Sequence, residues 1–455
     1  MNSDHTYTRR TLANALFAPL AASFATRLGA QSCAPPAGVA TPFVPIPGLA
    51  NIQRKSITAL NAAEVTRLRL AYKRLRDLTT SNPADPRGWM QQANVHCWQC
   101  GGVGSGIEIH GSWTFLPWHR AYLYFHERIL CKLLLDNSFR LPYWSWDVVA
   151  GRNLPPIYRP ATVGATPNSL FNANRSTNAS TGVNMPASIF PAAFNPMNAA
   201  NFAAFGGSAA SGGGLENGPH GAIHMFTGRP TSPFIDMGNL STAARDPIFF
   251  AHHCQIDRLW AEWFRRNPVA HANPTAAAFL TRSFRFFDEN SQLRTIRTQQ
   301  VLNTVPLGFS YPPGAALSKQ SNAEWMELIS DATDRKVKLP EEHRARLTTP
   351  SPIARTRGLI VEDAKLPAVS GLYNIFAGDP PAAGADQAAA PNYLGYIGLV
   401  LGEHAHDLKS TLVLNANQEF LTRAAGTDGV VLTYAEAGST QGNKLEYANI
   451  YLTEE

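Results

Sequence analysis

The sequence predicts a mainly α protein, a helical bundle with large loops, followed by a small β-sandwich or barrel. Three observations predict it. Several stretches between residues 56 and 266 carry apolar residues at helical spacing. Between them, residues 151–215 are rich in Asn, Ala, Gly, Ser and Pro, the composition of a long irregular loop. After about residue 335 the pattern changes to short β-branched or aromatic runs separated by turn residues.

The N-terminus reads "TYTRRTLANALFAPLAASFATRLGAQS". Arg9 and Arg10 precede an uncharged run from Thr11 to Thr26, and small residues follow to Ala30. This is the layout of a twin-arginine signal peptide over 1–32, with a frayed N-terminal helix as the alternative. It implies export to the periplasm or beyond. The run is short for a membrane span and Pro19 interrupts it, so no stable membrane anchor is expected.

The main helical domain is placed at 33–335. Residues 56–80 read as a helix with a Ser or Thr as N-cap, and 117–136 as a second with Pro117 in its first turn. A short helix is expected over 218–226, and another from near Pro247 through "IFFAHHCQIDRLWAEWFRR". The stretch "KLPEEHRARLTTPSPIARTRG" is basic and Pro-rich, and places an exposed, protease-sensitive linker at 336–355. Six short runs, from "GLIVEDAKL" to "LEYANIYLTEE", build the β domain at 356–455.

Formal net charge is +6, and the positive residues are scattered. Without a basic stripe interleaved with aromatics, nucleic acid is not an expected partner. Five cysteines leave at least one unpaired. Cys131, in an apolar helix, and Cys254, beside a histidine, read as buried free thiols. Cys33, Cys97 and Cys100 remain.

The chemistry lies in the histidines. His220 and His224 stand four apart in "PHGAIH", so a helix puts both imidazoles on one face within reach of one metal. His253, in "DPIFFAHHCQIDRLW", completes a three-nitrogen set, and copper is well served by imidazole alone. A second set, His96, His110 and His119, precedes it in aromatic-rich surroundings.

The pieces "DPRGWMQQANVHCWQC", "IHGSWTFLPWHRAYLYFHE", "LPYWSWD", "LENGPHGAIHMFTG", "DMGNLSTAARDPIFFAHHCQIDRLW" and "FRFFDENSQLR" cover most of residues 85–310. In them the chain resembles the tyrosinase and catechol oxidase (polyphenol oxidase) family of type-3 copper proteins, with plant-type motifs behind a bacterial-style export signal. "VEDAKLPA" and "LEYANIYL" resemble the family's C-terminal domain.

The resemblance implies two copper ions, with O2 as co-substrate. His96, His110 and His119 would hold one, and His220, His224 and His253 the second. His253 is chosen over His252 because it stands seven residues after Asp246 of the "DP" motif; His252 is then packed or hydrogen-bonded. Cys100 would form a thioether to His110, and Cys33 a disulfide with Cys97. Glu216 matches a glutamate that holds a water used as base, whereas the asparagine often seen after the first ligand of the second copper is Gly221 here. Leu240 stands at the position of an aromatic gate, and Met225 shapes the approach of substrate. Asp257, one turn after His253, reads either as an anchor for an imidazole N–H or as a surface salt bridge with Arg258 or Arg265. His126 replaces a more usual aromatic residue and reads as packed or hydrogen-bonded, and Phe309 replaces a tyrosine. The β domain would be a lid whose plug is Tyr393, Leu394 or Tyr396, released by cleavage within 340–357.

The function implied is that of a tyrosinase acting on small phenols such as L-tyrosine, L-DOPA and catechols, serving melanin-like pigment formation. Catechol oxidase without monophenolase activity is the nearest alternative, and a haemocyanin-like oxygen carrier the more distant one. His404 and His406 read as surface residues, with a copper-delivery role, and hence a copper-delivery protein as a further partner, as the alternative.

Overall fold

A computed structural model of the chain describes residues 38–99, 109–186, 189–190, 195–229, 235–314, 334–337, 357–365, 371–379, 381, 390–399, 409–416, 430–435 and 449–454. All of these belong to one compact unit. The expectations for the export signal, for Cys33 and Cys100, for most of the linker and for His404 and His406 lie outside the described residues.

The first long helix, α1 (Ala62–Ser81), starts later than its periodicity predicts. Ser56 caps a separate 3-10 turn, Ile57–Ala59, and extended Leu60 ends that turn. Asn61 then caps α1: its side chain accepts from the Glu64 N–H at 2.9 Å, and Glu64 accepts from the Asn61 N–H at 2.9 Å. This reciprocal pair satisfies two orphan donors, which Ser56 is too far back to reach. Leu68, Ala71, Tyr72 and Leu75 form the buried stripe of α1.

Helices α2 (Trp89–Cys97), α3 (Phe115–Leu134), α4 (Gly221–Thr227) and α5 (Ile248–Arg266) complete the frame. Every residue of α3 from Phe115 to Cys131 is buried, as befits a helix packed on both α1 and α5. Pro117 is its third residue, where its missing N–H costs nothing. Buried ion pairs tie distant segments to this frame: Arg54 to Glu127 at 3.0 Å, Arg175 to Asp246 at 2.7 Å and Arg258 to Asp147 at 3.2 Å. Cys131 and Cys254 are buried free thiols, and burial pushes each up to about 12.

A hairpin of β1 (Ser283–Phe287) and β2 (Leu293–Arg297), absent from the sequence expectations, packs Phe286 flat on Phe125 of α3 with centroids 5.2 Å apart. Its signal was the alternation in "SFRFF", which buries Phe284 and Phe286 and leaves their neighbours half-buried.

The C-terminal part is β3 (Asp334–Val337), β4 (Arg357–Lys365), β5 (Gly371–Ala377), β6 (Tyr393–Leu399), β7 (Lys409–Ala416), β8 (Val430–Ala435) and β9 (Asn449–Glu454). These strands form two four-stranded sheets, ordered β6-β5-β8-β3 and β9-β4-β7 followed by the two-residue strand Ser211–Gly212. The first sheet therefore begins within the stretch assigned to helical domain and linker. "DRKV" carries three charges in four residues, and main-chain pairing with β8 needs no apolar pattern. Ser211 and Gly212 run parallel to Thr411 and Leu412, so the loop before the second histidine set is held by the C-terminal sheet.

Candidate metal centre

Six segments bring the histidines together. His96 is the penultimate residue of α2, and His119 lies in the second turn of α3. His110 precedes Gly111, whose φ of 68° turns the chain toward α3. His220 closes a single π turn, Glu216–His220, and His224 follows on α4. The sequence-predicted helix over 218–226 is thus two pieces joined at a kink, with Gly218 at φ −97° and ψ −109°. His252 and His253 sit mid-way along α5.

The donor atoms of His96, His110 and His119 lie within 4.8 Å of one another, and so do those of His220, His224, His252 and His253. The two groups share a wall. The rings of His119 and His253 stack at 4.1 Å and 5°, and those of His110 and His220 lie 6.1 Å apart at 21°. Phe249 packs against both His96 (5.0 Å) and His253 (4.2 Å), which closes the space with hydrocarbon.

The hydrogen bonds sort these rings. His96 donates from Nδ1 to the Leu240 carbonyl at 2.7 Å, His119 to the Phe115 carbonyl at 2.8 Å and His224 to the Met237 carbonyl at 2.9 Å. A carbonyl can only accept, so Nδ1 bears the proton and Nε2 keeps its lone pair. All three Nε2 atoms are buried with no hydrogen-bond partner among the described residues, as is Nε2 of His220. Buried polar atoms are left so only where something else satisfies them, and a metal fits. Neither nitrogen of His253 has a hydrogen-bond partner among the described residues.

His252 is the reverse case. The Trp146 indole N–H donates to its Nδ1 at 3.2 Å. Indole can only donate, so Nδ1 is the acceptor and the proton sits on Nε2. His252 therefore has no free lone pair to give, and His253 is the ligand-competent ring of the pair. Burial, joined by neighbouring imidazoles, holds His96, His119, His220, His252 and His253 well below the usual histidine range. Burial likewise takes His224 down to about 3. All are neutral at pH 7, the state in which an imidazole can bind a metal.

Two further residues depart from or refine the expectations. Asp257 anchors no imidazole and is not on the surface. It takes Arg120 at 2.5 Å and the Tyr311 hydroxyl at 2.7 Å, with Arg54 at 3.6 Å, because its side of α5 faces these buried cations rather than the centre. The anchoring falls to backbone carbonyls, two of them from the loop 236–240. That loop is pinned by Asp236, in the left-handed region at φ 52°, which accepts from Asn172 and Asn174. His126 is packed and hydrogen-bonded as expected, flat on Phe250 at 3.6 Å and bonded to Gln92 at 3.1 Å.

The family described as the common central domain of tyrosinase matches residues 86–184 and 150–266, and the polyphenol oxidase middle domain matches 273–327. The chain belongs to the tyrosinase and polyphenol oxidase family. Its members are type-3 dicopper enzymes, and the two histidine groups fall within the matched region. The chain is 34% identical over 279 residues to the chloroplastic polyphenol oxidase of Vitis vinifera, covering 53% of this chain and 44% of that one. It is 32% identical over 324 residues to the chloroplastic catechol oxidase B of Solanum tuberosum, covering 62% and 53%. It thus spans about half the length of these relatives. Latent apple tyrosinase shares its fold, with a TM-score of 0.71 and 24% identity over 91% of this chain and 99% of that one.

Around the two histidine groups, Leu240 and Met225 pack on each other apart from the main core. Leu240 is buried, and it also acts through its carbonyl on His96, a role its side chain gives no hint of. Glu216 accepts from the Gly111 N–H at 2.7 Å, bridging the turn before His220 to the residue after His110. Cys97 is in a disulfide whose partner lies outside the described residues. Tyr396 is buried in the same core as the helices and donates its hydroxyl to the Ile189 carbonyl at 2.7 Å, whereas Tyr393 packs edge-on against Phe376 within the sheet. Leu394 is buried at a bulge in β6.

Proposed function

We propose that this chain is a tyrosinase, adding an ortho hydroxyl to monophenols and oxidising o-diphenols to o-quinones with O2, and that it is latent while the C-terminal strands cover the centre. The observation that carries this reading is the set of buried Nε2 lone pairs, those of His96, His119 and His224 fixed by Nδ1 bonds to carbonyls, converging in two adjoining groups. In this reading His96, His110 and His119 hold one copper and His220, His224 and His253 the other, with His252 excluded by its tautomer. Bound copper would supply O2 binding and electron transfer. The protein supplies neutral ligands, a wall of phenylalanine that keeps water out, and Leu240 and Met225 at the approach.

Latency is supported by Tyr396, the member of the plug trio that reaches into the helical core. Cleavage between 340 and 357 would release it. The Cys33–Cys97 disulfide, the Cys100–His110 thioether and twin-arginine export to the periplasm or beyond belong to the same reading. Among the described residues no helix is long and apolar enough to cross a membrane.

Catechol oxidase activity alone is the second reading. It is favoured by Gly221, which offers no side chain, and by the Glu216 oxygen already engaged with Gly111. Oxygen uptake by the copper-loaded, protease-nicked protein with L-tyrosine and with L-DOPA separates the two. Uptake with both supports a tyrosinase, uptake with L-DOPA alone a catechol oxidase, and uptake with neither ends both readings.

A further inference from the structure

We propose that Gly221 is the seat of strand β6. Its missing side chain lets the Gly398 backbone lie on α4 one residue past His220, and any side chain at 221 unseats the strand. This deepens the latent reading and rests on it.

Neither glycine is demanded by its backbone, because neither has a positive φ. Gly221 is ordinary helix at φ −60° and ψ −42°, where alanine would stabilise the helix more. Space is the reason. A Cβ built on Gly221 would fall on the Gly398 carbonyl oxygen, 2.8 Å from its carbon and 3.3 Å from its Cα. A Cβ built on Gly398 would lie 2.7 Å from the Ala222 nitrogen and 3.0 Å from the Gly221 carbonyl carbon. All these atoms are main chain, so no side-chain rotation relieves either clash.

Nor can β6 shift away freely. Two residues before Gly398, Tyr396 is bonded to Ile189 inside the helical core. The other sheet, through β7, grips Ser211–Gly212 just ahead of Glu216. Helix α4 and β6 are therefore pressed together between two anchors, and the pair of glycines sets how closely. The position where relatives often carry asparagine is, in this chain, given over to holding the strand. An asparagine at 221 and a seated β6 exclude each other.

The test uses the full chain as wild type, Gly221→Ala and Gly398→Ala. In the copper-free proteins, amide hydrogen exchange at 393–399 should quicken about tenfold or more in both variants, the scale of an overpacked contact. After copper loading, intact Gly398→Ala should oxidise L-DOPA at close to the rate of nicked wild type, with little further gain on nicking. Nicked Gly398→Ala should match nicked wild type, since it alters only the strand. Unchanged protection of 393–399 in both variants overturns the proposal, as does intact Gly398→Ala that stays as latent as wild type. If Gly221→Ala does not fold, Gly398→Ala decides alone. Nicked wild type that oxidises no phenol sinks the enzyme reading instead, and exchange in the copper-free chain then still judges the contact.

Discussion

Replacing Trp146 by phenylalanine tests the sorting of ligand from non-ligand at His252 and His253. Trp146 is fully buried, stacked on Phe190 at 5.7 Å, and donates a hydrogen bond that fixes the His252 tautomer. The substitution removes that bond, worth about 1 kcal/mol net. It also removes part of a ring whose complete truncation would cost about 3–5 kcal/mol, so roughly 1–2 kcal/mol is lost in packing. The total of about 2–3 kcal/mol is smaller than the stability of a typical domain, roughly 5–15 kcal/mol, so the variant should fold. Urea unfolding of the copper-free protein reads the loss, and nitrogen-15 NMR of the imidazoles reads the tautomer. Wild type should show the His252 proton on Nε2. In the variant a second population with the proton on Nδ1 should appear, presenting a fourth lone pair to the second histidine group. A wild-type spectrum with the proton on Nδ1 would refute the reasoning outright, because indole has no lone pair with which to accept it.

Acidification should destabilise the copper-free protein: burial lowers the folded pKa of His126 and His224 to about 3, so below about pH 6.5 the unfolded chain binds protons the folded one does not. Their contribution is complete above pH 6.5 and is lost toward pH 3, at about 1.4 kcal/mol per histidine per pH unit. His126→Phe should keep the stacking on Phe250 and lower the slope of stability against pH by about one proton; an unchanged slope counts against it. Asp246→Asn leaves the Arg175 guanidinium buried without its bidentate partner and should cost about 3–5 kcal/mol in urea unfolding, whereas an exposed-pair cost below about 1 kcal/mol would contradict the burial seen here. Glu216→Gln keeps an acceptor for the Gly111 N–H and should retain two coppers per chain, while Glu216→Ala should lose copper from the His110 group first. Equal copper content in the two variants would show that the bond to Gly111 does not position His110.

The helices and the histidines were legible because they depend on side chains at regular spacing. Leu68, Ala71, Tyr72 and Leu75 announce a buried stripe, and His220 and His224 a shared face. What escaped the sequence is carried by main chain. The acceptors that orient His96, His119 and His224 are carbonyls of Leu240, Phe115 and Met237, and every residue has a carbonyl. Strand β3 pairs through its backbone under a run of charges. The seat at Gly221 depends on a glycine 177 positions away, Gly398, which nothing local marks. Asp257 was misread for a related reason: one turn from a ligand fixes a helix face only roughly, and the buried Arg54 and Arg120 that claim it come from other segments.

In the proposed function, the choice of carbonyls over carboxylates as partners of the imidazoles bears on which phenols the centre would favour. A carboxylate behind a ligating histidine raises its basicity and brings a negative charge, whereas a carbonyl fixes the ring and brings none. Neither histidine group contains a carboxylate, and Asp257 is already neutralised by two arginines. Two metal cations held by neutral rings in a space walled by Phe249 and Phe115 would thus carry an uncompensated positive charge. In such a dry site that charge acts strongly on whatever enters. A phenol would gain by entering as phenolate, and a substrate with a cationic group near its ring would be penalised unless that group stays in solvent. Glu216, bonded to the residue after His110 and opening the turn that ends at His220, would in that function offset part of the charge and take part in deciding how readily the phenolic proton leaves.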